Sequence, residues 1–493
     1  MIKLLTGATG LLGRYLMRDL MLLGHPLAVL VRGGKRTEAA DRIEQIIVQW
    51  EEQAGRAFPR PVVIEGDITT KMAGLDGSDI RWLAQNCEQI VHSAARLTFY
   101  EKDGEPWKSN VQGTQHVLDV CQASGIDTMH HISSAYVAGN RTGVVLEDEL
   151  DVGQAFGNDY ERSKVDSEKL VRGSSQLKRF TIYRPSIIMG DSRTGFSSTF
   201  HGFYTPLRLA AAMSAVVGVD RFFAANHMQQ MGLQGDEGKN FVPVDWVSEV
   251  ITTLIDQQPC KGGTYAVVSD DPVSVQRLYR VYKESLSAAS GTPSPPAIDG
   301  TEPNGTDFGP TAVINSYNEQ MAVYRSYWRD DPSFDARHTK KRVPYMKCPQ
   351  LTDSVLLRLC EYALKHRFAW RPEPVTGNRQ GAAESIVASK NLSALELPES
   401  NSKNFLLTVT GPGGGCWLLG DEAGSSVGIM ETQGRAGHSS MDNAEVRMNS
   451  HTFETIRSDP MALHRCASDG RILIVGNEPE ALQRLGRSMS MLS

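Results

Sequence analysis

The sequence contains no C-x-x-C pair. Its 7 cysteines are scattered and odd in number, which argues against a disulfide framework and a thiolate zinc site and suits a reducing, cytoplasmic setting. Neither sign of charge dominates: 51 Lys and Arg stand against 57 Asp and Glu, a formal net charge of -6. That balance disfavours a general nucleic-acid binder while leaving room for local basic pockets that meet phosphates. No apolar run is long enough to cross a bilayer; Leu207 to Val219 has the length of a buried helix or of one wall of an apolar cleft. The first apolar residues read as a strand rather than as part of a signal peptide. No tandem repeat is visible, which disfavours a solenoid. His438, His451 and His464 are scattered over different local elements, so no metal site is expected.

What is present is an ordinary globular composition, 40% hydrophobic and 22% charged, on a chain of 493 residues, enough for two or three domains. Met1 to Leu5 reads as a buried parallel strand. TGATGLLG follows, with Gly7, Gly10 and Gly13 spaced by three before a helical run to Leu22. A strand, a glycine turn and a helix N-terminus form a cradle for a dinucleotide pyrophosphate. The first glycine permits the turn, the second the approach of phosphate and the third close packing of helix on strand. Leu27 to Arg32 is a second buried strand. Where an acidic residue would accept ribose hydroxyls, Arg32, Lys35 and Arg36 offer positive charge to a 2'-phosphate, favouring NADPH over NADH. Asp41 to Glu52 reads as a helix, and Pro61 to Asp67 as a third strand whose Asp67 either holds the adenine amino group or caps a turn. Cys87 to Ala94 is a fourth strand, ending in Ala94 and Ala95, small enough for close passage of the cofactor.

Asn110 to about Ala123 reads as a helix, and Asp127 to Gly139 as a strand with hydroxyls at its carboxyl end, where open α/β sheets place their chemistry. On the helix of Tyr160 to Val171, Tyr160 and Lys164 lie one turn apart on the same face. A phenol near pKa 10 is a poor acid-base group at neutral pH until a neighbouring ammonium stabilises its phenolate. Ser134 can then hold a substrate carbonyl. Arg179 to Gly195 reads as a strand and an irregular segment, in which Pro185 and Gly190 border the nicotinamide end and Arg193 faces a substrate phosphate. His201, Phe203 and Tyr204 are core aromatics or the wall of an acyl channel. A strand or turn into a helix is expected at Phe241 to Ile251, a strand and helix at Thr264 to Leu286, a loop at Ser287 to Gly305, helices at Thr311 to Arg329 and Thr352 to Tyr362, and a boundary at Trp370 to Gly381. The remainder reads as short strands with glycine turns and two helices, a compact α+β module.

The pieces TGATGLLG, LAVLVRGG, VVIEGDITTKMAGL, IVHSAARLTFY, NVQGTQHVLDVC, ISSAYVAG, YERSK, RPSIIMGDSRTG and FVPVDWVSEVI resemble the extended short-chain dehydrogenase/reductases, most closely those that reduce acyl thioesters: fatty acyl-CoA reductases and terminal reductase domains of carboxylic acid reductases and peptide synthetases. The resemblance covers about residues 1 to 270. It implies a catalytic set of Ser134, preferred over Ser133 by its distance from Gly139, with Tyr160 and Lys164; Asn110 falls in a structural segment. It implies cofactor contacts at Gly7, Thr9, Gly10, Leu11, Leu12, Gly13, Arg32, Arg36, Asp67, Ile68, Ala94, Ala95, Tyr160, Lys164, Pro185, Ser186 and Ile187. The stretch Asn401 to Leu492 is similar to sterol carrier protein-2 domains through Phe453, the Asp459-Pro460 turn, MALHRCASDG and GRILIVGNEPEALQRL, although Gly411 to Gly415 and Gly434 to Gly437 are more polar than a lipid-binding sheet calls for.

The expected architecture is an α/β Rossmann-type parallel sheet over residues 1–270, a substrate-side lobe over 271–370 and a sterol-carrier-like α+β domain over 371–493. The expected activity is NADPH-dependent reduction of a hydrophobic acyl thioester, acyl-CoA or carrier-bound, to an aldehyde or on to an alcohol. A lipid ligand in the last domain, peripheral membrane contact and a homodimer are compatible with this reading. The alternatives are a hydroxysteroid or alcohol dehydrogenase, a sugar-nucleotide epimerase, and a lipid-binding scaffold or cofactor sensor.

Overall fold

The computed structural model describes residues 2–34, 38–225, 227–230, 232–257, 262–289 and 329–369 and, towards the C-terminus, 405–410, 415–421, 427–431, 444–475, 482–483 and 485–486. Lys35 and Arg36, the expected helix at 311–328, the boundary at 370–381, His438 and the glycine-rich stretch 434–437 lie outside the described residues. The chain forms two compact units, Met1–Ala39 with Pro61–Pro372, and Ala40–Arg60 with Glu373–Ser493.

The first unit is built on β1 (Ile2–Thr6), α1 (Leu11–Leu22), β2 (Leu27–Val31), β3 (Val62–Glu65), α3 (Gly77–Asn86), β4 (Cys87–His92), α4 (Gly113–Ser124), β5 (Thr128–Ile132), α5 (Asp159–Gly173), β6 (Arg179–Pro185) and β9 (Gly263–Val267), with α2 (Ala39–Ala54) leading into the second unit. Seven strands form one sheet in the order β9-β6-β5-β4-β1-β2-β3, every neighbouring pair parallel. β2 and β5 are buried along their whole length, as strands covered on both faces must be. The strand expected over Asp127 to Gly139 is shorter: it stops at Ile132, and Ala135–Ala138 form a 3-10 turn. Ser134 starts that turn because its side chain accepts from Tyr136 N at 3.1 Å, an alternative to continued pairing.

Between β6 and β9 the chain runs through β7 (Ile187–Met189), α6 (Tyr204–Val217), β8 (Phe241–Pro243) and α7 (Val244–Asp256); β7 and β8 pair in parallel. After β9 come α8 (Val275–Ala288), α9 (Arg337–Arg342) and α10 (Asp353–Lys365). α6, α8 and α10 share an apolar core with Phe203, Tyr204, Leu207, Leu278, Tyr282 and Leu359. Phe203 and Tyr204 are therefore core aromatics, and in the Leu207 to Val219 run Leu207, Leu209, Ala210, Ala211 and Ser214 face the core while Val216 faces solvent.

The second unit carries a five-stranded sheet of β10 (Phe405–Thr410), β11 (Gly415–Asp421), β12 (Val427–Glu431), β13 (Ala444–Asn449) and β14 (Ile472–Val475), in the order β12-β11-β10-β13-β14. Only the β10-β13 pair is parallel among them. Helices α11 (Ser450–Ser458) and α12 (Ala462–Ser468) follow β13 and bury Phe453, Ile456 and Leu463 with Leu407, Val446 and Met448. The end of α2 is stitched to this unit: Asn449 Nδ2 donates to Glu51 O at 3.0 Å, and Ala57 N to Arg471 O at 3.1 Å.

Candidate active site

The glycine turn between β1 and α1 is packed as tightly as its spacing requires. Gly7 adopts φ +77°, and a Cβ there would lie 2.7 Å from Ala94 N; a Cβ on Gly13 would lie 2.0 Å from Gly7 O. Gly10 N donates to Gly7 O at 2.9 Å, closing the turn. α1 then begins with no side-chain cap on Gly10 and no acidic residue in its first turn, so the backbone donors around Leu11 and Leu12 face an electropositive opening. These residues fit a dinucleotide pyrophosphate: any side chain at Gly7 or Gly13 would destroy the cradle.

Beside it, the end of β4 is fixed by polar contacts. His92 bridges Thr6 Oγ1 at 2.8 Å and Thr114 Oγ1 at 3.1 Å, and Thr6 Oγ1 accepts from Ala94 N at 3.2 Å. Burial, with the Lys164 charge behind it, holds the His92 imidazole down to about 3. Asn110 accepts from Arg96 N at 2.7 Å and donates to Arg96 O and Ser163 Oγ, tying the segment beyond β4 to α5. These side-chain contacts are structural. Ile68 sits against Gly113, and its carbonyl oxygen lies 2.8 Å from His116 Nδ1.

α5 is started by Asn158, whose side chain accepts from Glu161 N at 3.0 Å, with Asp159 and Glu161 in its first turn. Tyr160 and Lys164 project from it toward the end of β5. The Tyr160 phenol is pushed up to about 12 by burial, and the hydrogen bond with the Ser134 side chain offsets part of that rise. Lys164 is buried, donates from Nζ to Ile132 O at 2.7 Å, and is held down to about 8 by burial against the opposing pull of Glu168. Ser134, Tyr160 and Lys164 are thus brought together at the carboxyl end of β5. The phenol's immediate relief comes from Ser134.

The adjacent hydroxyl has a different job. Ser133 Oγ donates to Glu168 Oε2 at 2.7 Å, and Glu168 receives Arg184 at 2.6 Å and Arg172 at 2.7 Å. Glu168 is fully buried and yet held low, its burial outweighed by Arg184 and its other partners. The K-x-x-x-E-x-x-x-R spacing of Lys164, Glu168 and Arg172 is the available signal for this hub, but in sequence it reads as a solvated helix face. Two further residues lie beyond sequence reasoning. Asp331 accepts from Tyr136 Oη at 2.7 Å and from Asn240 N at 2.8 Å across a long sequence separation. His131, next to His92 with 5.5 Å between ring centroids, has both ring nitrogens buried without a partner among the described residues.

At the adenine side, Asp67 caps its own turn by accepting from Thr69 N and Oγ1, each at 2.9 Å, while Arg32 Nη1 lies 3.9 Å from its other oxygen. Pro185 ends β6 opposite Val267, Ser186 N donates to Val267 O at 3.2 Å, and Ile187 starts β7. Arg193 is exposed, within 3.9 Å of Asp191 and 3.7 Å of Asp245. His451 and His464 are exposed, and no metal-binding group occurs among the described residues. No described helix is long and apolar enough to cross a membrane.

Similar proteins share parts of this chain. It is 30% identical over 203 residues to a linear gramicidin synthase of Brevibacillus parabrevis, 39% of this chain and 4% of the synthase. It is 33% identical over 144 residues to a putative fatty acyl-CoA reductase of Drosophila melanogaster, 27% of this chain and 28% of that protein. The chain therefore spans less than a third of either relative. Among solved structures, the terminal R domain of the myxalamid PKS-NRPS pathway superposes with a TM-score of 0.57 at 24% identity, covering 76% of this chain and 92% of that one. The reductase domain of a nonribosomal peptide synthetase from Mycobacterium tuberculosis gives 0.52 at 19%, covering 74% and 92%. These likenesses establish a shared fold over the first unit. The sequence model of one family extends further than either relative, over residues 5–251, half of the chain, from the end of β1 into α7; the chain belongs to that NAD-binding family, described as male sterility protein.

Proposed function

We propose that the protein reduces a hydrophobic acyl thioester, CoA- or carrier-bound, to an aldehyde at the expense of NADPH. The observation that carries this reading is the convergence of Ser134, Tyr160 and buried Lys164 at the carboxyl end of β5, in the same unit as a glycine cradle no side chain could occupy. The thioester chemistry is suggested by the acyl-CoA reductase and peptide synthetase relatives. The reduced nicotinamide, when bound, supplies a hydride. Ser134 and Tyr160 hydrogen-bond the thioester carbonyl oxygen and stabilise the charge that develops on it. Tyr160 passes its proton to that oxygen, and Lys164 as an ammonium favours the phenolate left behind. The resulting hemithioacetal breaks its C–S bond, releasing free thiol and aldehyde. Arg32, largely exposed just beyond β2, offers a guanidinium to a 2'-phosphate, and that charge supports the reading of NADPH over NADH.

The C-terminal unit serves, in this reading, as a lipid-binding module resembling sterol carrier protein-2, its five-stranded sheet and two helices closing over an apolar core. The test is incubation with NADPH and a panel of long-chain acyl-CoAs, a carrier-bound acyl thioester, sterol ketones and UDP-sugars, with products identified by mass spectrometry. Thiol release with aldehyde or alcohol is the expected result. Turnover of a sterol ketone or UDP-sugar without any thioester turnover overturns it.

A further inference from the structure

The turn that leads into α6 and the start of α6 carry buried polar atoms without a hydrogen-bond partner among the described residues. Arg208 Nε is buried with no hydrogen-bond partner among the described residues, and so are Thr205 Oγ1 and Ser198 Oγ. Thr205, only 2% exposed, precedes Arg208 by three positions and shares its face of α6. His201, an exposed residue, stands beside them: partial desolvation of its ring first, and then the Arg208 charge, hold its imidazole below the ordinary value. A guanidinium can only donate, and each hydroxyl and a neutral imidazole can add one donor beside it. Burying donors without acceptors costs free energy, so a cluster of them marks the place of an acceptor that arrives from outside.

The cluster also has a defined position relative to the reaction. Gly202, at φ +54°, packs so closely that a Cβ there would lie 2.8 Å from Ile187 Cγ2. Ile187 opens β7 directly after Pro185 and Ser186, and Ser186 Oγ is itself buried without a partner among the described residues. The segment from Gly202 to Arg208 therefore begins against the start of β7, directly after the Pro185–Ile187 stretch expected at the nicotinamide end. A planar guanidinium with adjacent hydroxyls matches the oxygens of a phosphate better than a single carbonyl.

We infer that Arg208, with Thr205 and His201, binds the phosphate of the pantetheine arm that carries the acyl thioester. The assignment rests on the thioester chemistry proposed above and locates where the non-reacting end of the substrate is held. That phosphate is common to CoA and to a carrier-bound arm, so the shared group is what the site recognises.

The test compares one acyl chain on CoA, on 4'-phosphopantetheine and on pantetheine without phosphate, together with the same chain on a carrier protein. The two small phosphorylated thioesters should exceed acyl-pantetheine by about ten-fold in kcat/KM, expressed mainly in KM, as a charge-assisted contact predicts. Arg208→Gln should bring that ratio near one, and Arg208→Lys should restore part of it. NADPH titration of each variant confirms that the protein is folded. Equal use of phosphorylated and unphosphorylated arms by the unaltered protein, or an unchanged ratio in Arg208→Gln, overturns the inference. A preference for acyl-CoA alone also overturns it, because recognition then lies in the adenosine portion. Parallel loss of CoA and carrier substrates in Arg208→Gln supports it for both sources; loss of one assigns the site to that source. Acyl-pantetheine retains the reacting carbonyl, so its reduction tests the thioester reading separately from the phosphate contact.

Discussion

The candidate site of the first unit and the sheet-helix core of the second are built by different means. Around the candidate site, position comes from buried polar contacts: Glu168 gathers Ser133, Arg172 and Arg184, His92 joins Thr6 to Thr114, and Asn110 links the end of β4 to α5. In the second unit Leu407, Val446, Met448, Phe453, Ile456 and Leu463 pack between the sheet and its two helices, and the buried polar contacts, Arg60 with Glu51 and Asn449 with Glu51, gather where α2 joins them. A reacting group needs orientation, which directional hydrogen bonds provide; a container for a chain needs volume and dryness, which apolar packing provides. The difference in construction matches the difference in the roles proposed for the two units.

The sharpest way to break this division is Tyr160→Phe. The phenol's packing survives in the variant while its proton does not, so kcat should fall by about 10²–10⁴-fold, as for loss of a general acid, with NADPH affinity nearly unchanged in a fluorescence titration. Normal turnover would remove Tyr160 from the chemistry. A matched pair of substitutions comes next. Glu168→Gln leaves the buried Arg184 guanidinium without its full counter-charge and should cost about 3–5 kcal/mol of stability, read by urea unfolding, together with activity toward every substrate. Phe453→Ala should cost a similar amount, about 3–5 kcal/mol, in the second unit, and should alter turnover chiefly with long acyl chains. If both variants shift the chain-length profile alike, the division of labour fails. Removal of the chain beyond Trp370 is a poorer test, because Ala40–Arg60 belongs to the second unit and would be left behind.

The pH profile bears on the polar side of the comparison. Burial lowers Lys164 to about 8, so the ammonium is present below that pH and lost above it. Log kcat/KM should therefore fall with a slope approaching one per pH unit above about 8, and a flat profile to pH 10 would show that the Lys164 charge is not needed. The smallest expected effect is Arg32→Ala, which should weaken NADPH by about five- to ten-fold with little change for NADH, since the side chain is exposed and its contact screened. Equal weakening of both would remove the argument for NADPH.

Local patterns make much of the first unit legible. The glycine spacing, the buried strand runs and the Tyr160–Lys164 helix are short-range, and each appears within a few residues of its expected bounds. The strand expected to reach Gly139 stops early, because alternating apolar and hydroxyl residues look alike in a strand and in a 3-10 turn; the Ser134 side chain, by capping Tyr136 N, decides between them. The separate employment of Ser133 and Ser134 depends on Glu168, a residue 35 positions away from Ser133, and the anchoring of Tyr136 depends on Asp331, 195 positions away. Such pairings are set by the crossing of elements in space and leave no periodicity in the chain. The assignment of Ala40–Arg60 to the second unit is of the same kind, since the helix pattern of α2 says where its apolar face lies but not which partner covers it.

The most direct test of the central claim follows the hydride and the thiol together. The protein is incubated with NADPH deuterated at nicotinamide C4 and a long-chain acyl-CoA, free thiol is titrated, and the product is examined by mass spectrometry. Deuterium on the former carbonyl carbon with one thiol released for each aldehyde formed is the predicted result, and it should vanish in Tyr160→Phe. NADPH oxidation without thiol release, or thiol release without deuterium in the product, would contradict reduction of a thioester at Ser134, Tyr160 and Lys164.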